Sequence, residues 1–155
     1  MKYLITLIFL CICVLGDFST QVTYDLAEPV KFIRMDSEYA DVDLKTMILI
    51  KHRAAVRMID DGWTSENYII QEMDCEDFAL RLKTEMTKIA SEMDLLKGKA
   101  LAVGLFGYKL DSGGGHAIVF VICKGKFFFF EPYPNQNMPI EISDTEWKSA
   151  MIKIF

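Results

Sequence analysis

Cys75 stands in the stretch Met73-Asp74-Cys75-Glu76-Asp77-Phe78-Ala79, at the head of a pattern with helical spacing. A thiol on the first turn of a helix meets unsatisfied N–H groups and the positive end of the helix dipole. That setting favours the thiolate, the form of cysteine that attacks carbonyl carbon. Downstream come His116, in Gly115-His116-Ala117, and Glu131, in Phe130-Glu131-Pro132. Thiol, imidazole and carboxylate in that order are the parts of a cysteine-hydrolase triad. Cys75 would attack, His116 would take and return the proton, and Glu131 would orient the imidazole. A backbone N–H on the first turn would help hold the oxyanion, worth about 3–4 kcal/mol of barrier.

The elements that must carry these residues are readable from the pattern. Asp41 or Asp43 is a helix cap ahead of Leu44, Met47, Ile48, Ala55, Met58 and Ile59, and Gly62 closes that helix. Asp74, with Asp77 three residues on, is close to a capping box for a second helix through Phe78, Ala79, Leu82, Met86, Ile89, Ala90 and Met93. Gly98 is its expected stop. The period then shortens. Val30–Met35 reads as an edge strand, Ala100–Leu110 and Ala117–Cys123 as strands, and Lys124-Gly125-Lys126 as a tight hairpin into Phe127–Glu131. Four consecutive Phe residues imply a strand covered on both faces. Pairing back from the hairpin sets Glu131 opposite Val119 or Ala117, within a residue or two of His116. Thr145–Ile152 is expected as a closing helix. The fold class expected is α+β, with N-terminal helices packed on an antiparallel sheet.

The domain plan expected is a signal peptide over residues 1–16 and one domain over 17–155. Lys2 precedes an apolar run from Tyr3 to Leu15, about 20 Å of helix against a hydrocarbon core of about 30 Å. That is a secretory signal with a cut after Gly16, and the expected location is secreted or extracytoplasmic, with no membrane attachment after cleavage. Removing it leaves two cysteines, Cys75 and Cys123, and in an exported protein two cysteines suggest a disulfide. Strand geometry opposes that. His116 and Cys123 are an odd number of residues apart, so on one strand they point to opposite faces, about 23 Å apart along it. Either His116 or Cys123 meets Cys75. The net charge of −5 argues against nucleic acid, whose footprint is basic.

The blocks Asp74-Cys75-Glu76-Asp77-Phe78-Ala79, Gly115-His116-Ala117 and Phe130-Glu131-Pro132, with Phe106-Gly107 between them, resemble the papain-like peptidase domain of the fairy ring mushroom agglutinin family. More broadly they resemble the transglutaminase-like bacterial cysteine proteinases. The resemblance covers about residues 65–155. It implies a papain-like fold and a secreted cysteine peptidase that cleaves peptide bonds through a thioester, with Cys75 as nucleophile, His116 as base and Glu131 as third member. It also implies calcium activation, for which Asp74, Glu76 and Asp77 are the candidate ligands, since hard carboxylate oxygens suit Ca²⁺. The same carboxylates serve equally as a helix cap. The sugar-binding trefoil that precedes the family's peptidase has no room in this chain, so glycan targeting is not expected. Two alternatives stand beside the peptidase. One is an amidase, peptidoglycan hydrolase or transglutaminase on the same triad; the other is a non-catalytic secreted binding protein with a Cys75–Cys123 disulfide.

Overall fold

A computed structural model describes residues 32–33, 38–67, 74–110, 113–150 and 152–154. The expected signal peptide over 1–16 lies outside them. Among the described residues no helix is long and apolar enough to cross a membrane.

The first helix, α1 (Leu44–Asp60), starts where Asp43 caps it, accepting the Thr46 N–H at 3.0 Å. Met47, Ile50, Ala54, Ala55 and Met58 recur at helical spacing and are buried. Gly62, at φ +82°, lets the chain leave the helix as Trp63 N–H reaches back to the Met58 carbonyl at 2.8 Å. This closure needs a left-handed residue and is the usual role of glycine there. Helix α2 (Cys75–Glu92) buries Phe78, Ala79, Leu82, Met86, Ile89 and Ala90 against α1 and the sheet. It stops before Gly98. Asp94 takes the left-handed turn at φ 53°, and Leu95 N–H bonds the Ala90 carbonyl at 3.1 Å. Aspartate tolerates that conformation better than most side chains, so a glycine is not required.

The main sheet has five strands in the order β1-β7-β4-β5-β6, with β1 Phe32–Ile33, β4 Val103–Lys109, β5 Gly115–Cys123, β6 Lys126–Phe130 and β7 Ile152–Ile154. β1 is at an edge, where an edge strand was expected. Two further short strands, β2 (Tyr39–Ala40) and β3 (Ala100–Leu101), pair in parallel. β4, β5 and β6 run antiparallel, and Lys124 and Gly125, both at positive φ, turn β5 into β6. The molecule is therefore α+β with an antiparallel core sheet, although β1 joins β7 in parallel. The expected closing helix is shorter than its pattern. Only α3 (Asp144–Lys148) forms, capped by Ser143 and Glu146, and Ile152 belongs to β7 instead. β7 lies between β1 and β4, and the hydrogen bonds offered on both sides outweigh a helical preference that is local.

Alternation along β5 divides the interior. Ala117, Val119, Val121 and Cys123 face the helices, together with Phe130 and the partly buried Phe128. Ile118 and Phe120 face a second core with Phe106, Tyr108 and Phe129, covered by Ile140, Ile142 and Trp147. The four-Phe strand is thus covered on both faces, as its composition implies.

Candidate functional site

The head of α2 holds Cys75 as expected. Asp74 Oδ1 accepts the Glu76 N–H at 3.2 Å, and Asp77 Oδ2 accepts the Asp74 N–H at 3.4 Å, closing a capping box. Cys75 Sγ donates to Glu76 Oε2 at 3.3 Å. The thiol also lies against the backbone N–H of Ala117. That N–H sits beyond the last β5–β6 pair, Val119 with Phe130. Where β6 peels away at Glu131-Pro132, the head of the helix comes in.

His116 belongs to the other half of this corner. Its Nε2 lies 2.9 Å from Glu131 Oε2, with both side chains mostly buried at 15% and 17% exposure. Its ring meets the Tyr108 ring edge-on, centroids 5.6 Å apart, because β4 and β5 pair these two residues. The hairpin count that sets Glu131 near His116 therefore holds in three dimensions. The same corner contains Cys75, but its side-chain hydrogen bond goes to Glu76 and not to the imidazole. Ala117, the residue next to His116, links the two halves through its backbone N–H.

This arrangement keeps the thiol protonated. Burial is the main cause, and the Glu76 hydrogen bond with the Glu76 and Asp74 charges adds to it; the Ala117 N–H opposes them and loses, so the thiol is pushed up to about 11. At the helix terminus the Asp74 carboxylate takes the Glu76 and Asp77 N–H groups, so those two donors are not offered to the thiolate. Tyr108 is likewise pushed up to about 12, by burial first and then by the Glu146, Glu131 and Cys75 charges.

Cys123 corrects one step of the sequence argument. His116 and Cys123 do point to opposite faces, but it is Cys123 that shares the helix-side core with Cys75. Both thiols are free. Cys75 meets β5 at Ala117, and Cys123 is six residues further along that strand, about 20 Å away and beyond disulfide reach. The binding-protein alternative loses its disulfide.

Of the three carboxylates expected as calcium ligands, Asp74 accepts the Glu76 N–H, Asp77 the Asp74 N–H and Glu76 the thiol. Among the described residues no three His, Cys, Asp or Glu side chains converge to hold a metal.

Several neighbours escape a reading of motifs. Trp63 packs edge-on against Phe78 at 5.2 Å, and Phe78 packs on Tyr133 at 5.4 Å, an aromatic wall under the helix head. Lys51, wholly buried, comes from the inner face of α1. The signal for it was a lysine at an apolar position of the helical repeat, between Met47 and Ala55. Tyr108 is signalled only by its register opposite His116.

No family model matches the chain, and no curated protein does. Among solved structures, a lectin from Polyporus squamosus bound to the human-type influenza-binding epitope Neu5Acα2-6Galβ1-4GlcNAc is similar at 25% identity and a TM-score of 0.57, over 81% of this chain. A PSL1a–E64 complex is similar at 24% identity and a TM-score of 0.58, again over 81% of this chain. The chain spans 42% of the length of each. The expected resemblance to a mushroom agglutinin thus reappears as a likeness to a mushroom lectin. The likeness to the glycan-bound lectin overturns the cysteine peptidase, its hydrolase relatives and the peptide substrate as the reading of this chain.

Proposed function

We propose that the chain is a non-catalytic carbohydrate-binding protein, with Cys75, His116 and Glu131 forming a corner that receives ligand. The observation that carries this reading is the likeness to the Polyporus squamosus lectin solved with a sialylated trisaccharide. The chemistry of the corner supports it. An imidazole and a carboxylate fixed to each other, each still partly exposed, leave acceptor positions for hydroxyls. In fold terms we read the layout as papain-like, with a cysteine-headed helix against a sheet whose strands carry His116 and Glu131. Export remains part of the proposal, through the apolar stretch that ends at Leu15.

Calorimetric titration with Neu5Acα2-6Galβ1-4GlcNAc tests the proposal, with Galβ1-4GlcNAc as the comparison. Saturable binding that His116→Ala and Glu131→Ala abolish, and Cys75→Ser leaves intact, is expected. Absence of binding at millimolar sugar would overturn it and assign the neighbour's epitope to the part of the lectin that this chain does not match.

A further inference from the structure

Lys51 is a charge buried where the apolar repeat of α1 calls for a hydrophobe, and it is fully inaccessible to solvent. Its Nζ donates to the Tyr133 carbonyl at 2.9 Å, to the Gln136 carbonyl at 2.5 Å and to Asn137 Oδ1 at 3.3 Å. An ammonium has three N–H groups and no acceptor, and here each has one oxygen. All three oxygens belong to a single segment, and that segment begins two residues after Glu131. The link between them is Pro132, which is buried and whose ring fixes the backbone. The Glu131 carboxylate also acts on Lys51 through space, raising its proton affinity against the larger effect of burial, which draws it down to about 8. At neutral pH the group is therefore mostly the ammonium that the three acceptors match.

We propose that Lys51 is a positioning residue for the Cys75–His116–Glu131 corner: its ammonium ties residues 133–137 to α1 and so holds Glu131 against His116. The proposal deepens the ligand-corner reading above and rests on it for significance, but its geometry can be tested without any ligand. A hydrophobe at this position would fill the space and leave the Tyr133 and Gln136 carbonyls without this donor, which is costly inside a protein. Tyr133 would then be free to shift, and its ring is part of the wall against Phe78 that backs Cys75.

The experiment is NMR on the ligand-free protein, comparing wild type with Lys51→Met and Asn137→Ala. Two readouts report the segment and the corner: exchange of the Gln136 amide, which bonds the Tyr133 carbonyl at 3.2 Å, and the downfield proton resonance of His116 Nε2 shared with Glu131. Lys51→Met is expected to speed Gln136 exchange about tenfold and to lose the His116 resonance, with the amides of β5 unchanged. Asn137→Ala, on a half-buried loop residue, removes one acceptor and should show the same two changes to a smaller degree if Lys51→Met fails to fold. Lys51→Ala should recover both signals with added ethylammonium and not with ethanol or sodium chloride. An unchanged His116 resonance in these variants, or equal recovery by ethanol, overturns the positioning role. Loss of sugar binding by itself would count against the ligand corner and not against Lys51, because neither readout contains sugar.

Discussion

At Cys75 a favourable helix terminus competes with burial and two nearby carboxylates, and the latter prevail. Alkylation by iodoacetamide reads the outcome directly, since only the thiolate reacts. The rate at Cys75 is expected to rise about tenfold per pH unit between pH 7 and 10 without a plateau, as a group with its midpoint near 11 requires. Glu76→Gln removes the like charge and should raise the rate at pH 8 several-fold. E64, found with the PSL1a neighbour, is the informative second probe. No mass increment on Cys75 at pH 7 is expected, and a rapid one would mean that ligand binding itself activates the thiol. Cys123, buried among apolar side chains and pushed up to about 12, should remain unmodified until the protein unfolds.

The helices show how much of the site's setting is bought locally. Asp74 and Asp77 close the head of α2, and Asp74→Ala should cost about 1 kcal/mol of stability in urea unfolding. Because these carboxylates are spent as caps, millimolar calcium is expected to leave the melting temperature unchanged; a rise of several degrees would reveal oxygens that gather only around the ion. Between the helices, Glu85 is 3% exposed and meets Lys88 at 2.8 Å, Arg81 at 3.2 Å and Arg57 at 4.0 Å. Breaking a fully buried pair costs about 3–5 kcal/mol. Here the cations are 29–54% exposed and can rehydrate, so Glu85→Ala should cost about 1–3 kcal/mol, measured in the same assay.

Across the described residues, β7 joins β1 to the rest of the sheet by sitting between β1 and β4. Ending the chain at Ala150 would strip one side of β4 and release β1. Loss of cooperative unfolding and concentration-dependent aggregation are expected, because an uncovered central strand pairs with other chains. Stability should also vary with alkaline pH in a signed way. Lys51 is lowered from 10.5 to about 8, so between those values the folded state has shed a proton that the unfolded state keeps, and stability rises. Cys75 and Cys123 are raised from 9.0 to about 11 and about 12, and Tyr108 from 10.0 to about 12. Their contributions are fully present below the unfolded values and are lost as pH climbs through the folded ones. One group gains where three lose, at about 1.4 kcal/mol per pH unit for each proton of difference. The urea midpoint is therefore expected to peak near pH 9 and to fall steeply by pH 11; a midpoint still rising at pH 10.5 would contradict this assignment.

The chain's own pattern determined α1 from a cap at Asp41 or Asp43 to Gly62, the capped head of α2, the Lys124-Gly125 hairpin and the pairing that brings Glu131 to His116. Each of these follows from neighbours close in sequence, through helical spacing, capping or the count across a two-residue turn. Tertiary structure alone decided the rest. Ile152 went into the middle of a sheet because distant β1 and β4 offered it hydrogen bonds on both sides. Cys123 came to share the helix-side core because the direction of a strand's faces is set by what packs on it, a choice that parity leaves open. The state of the thiol followed from burial and from which acceptor its proton reached, and both depend on how closely the sheet approaches the helix. Cys75, Glu76 and Asp74 are adjacent in any reading of the chain; only the fold reveals that the Cys75 proton goes to Glu76 while His116 turns to Glu131.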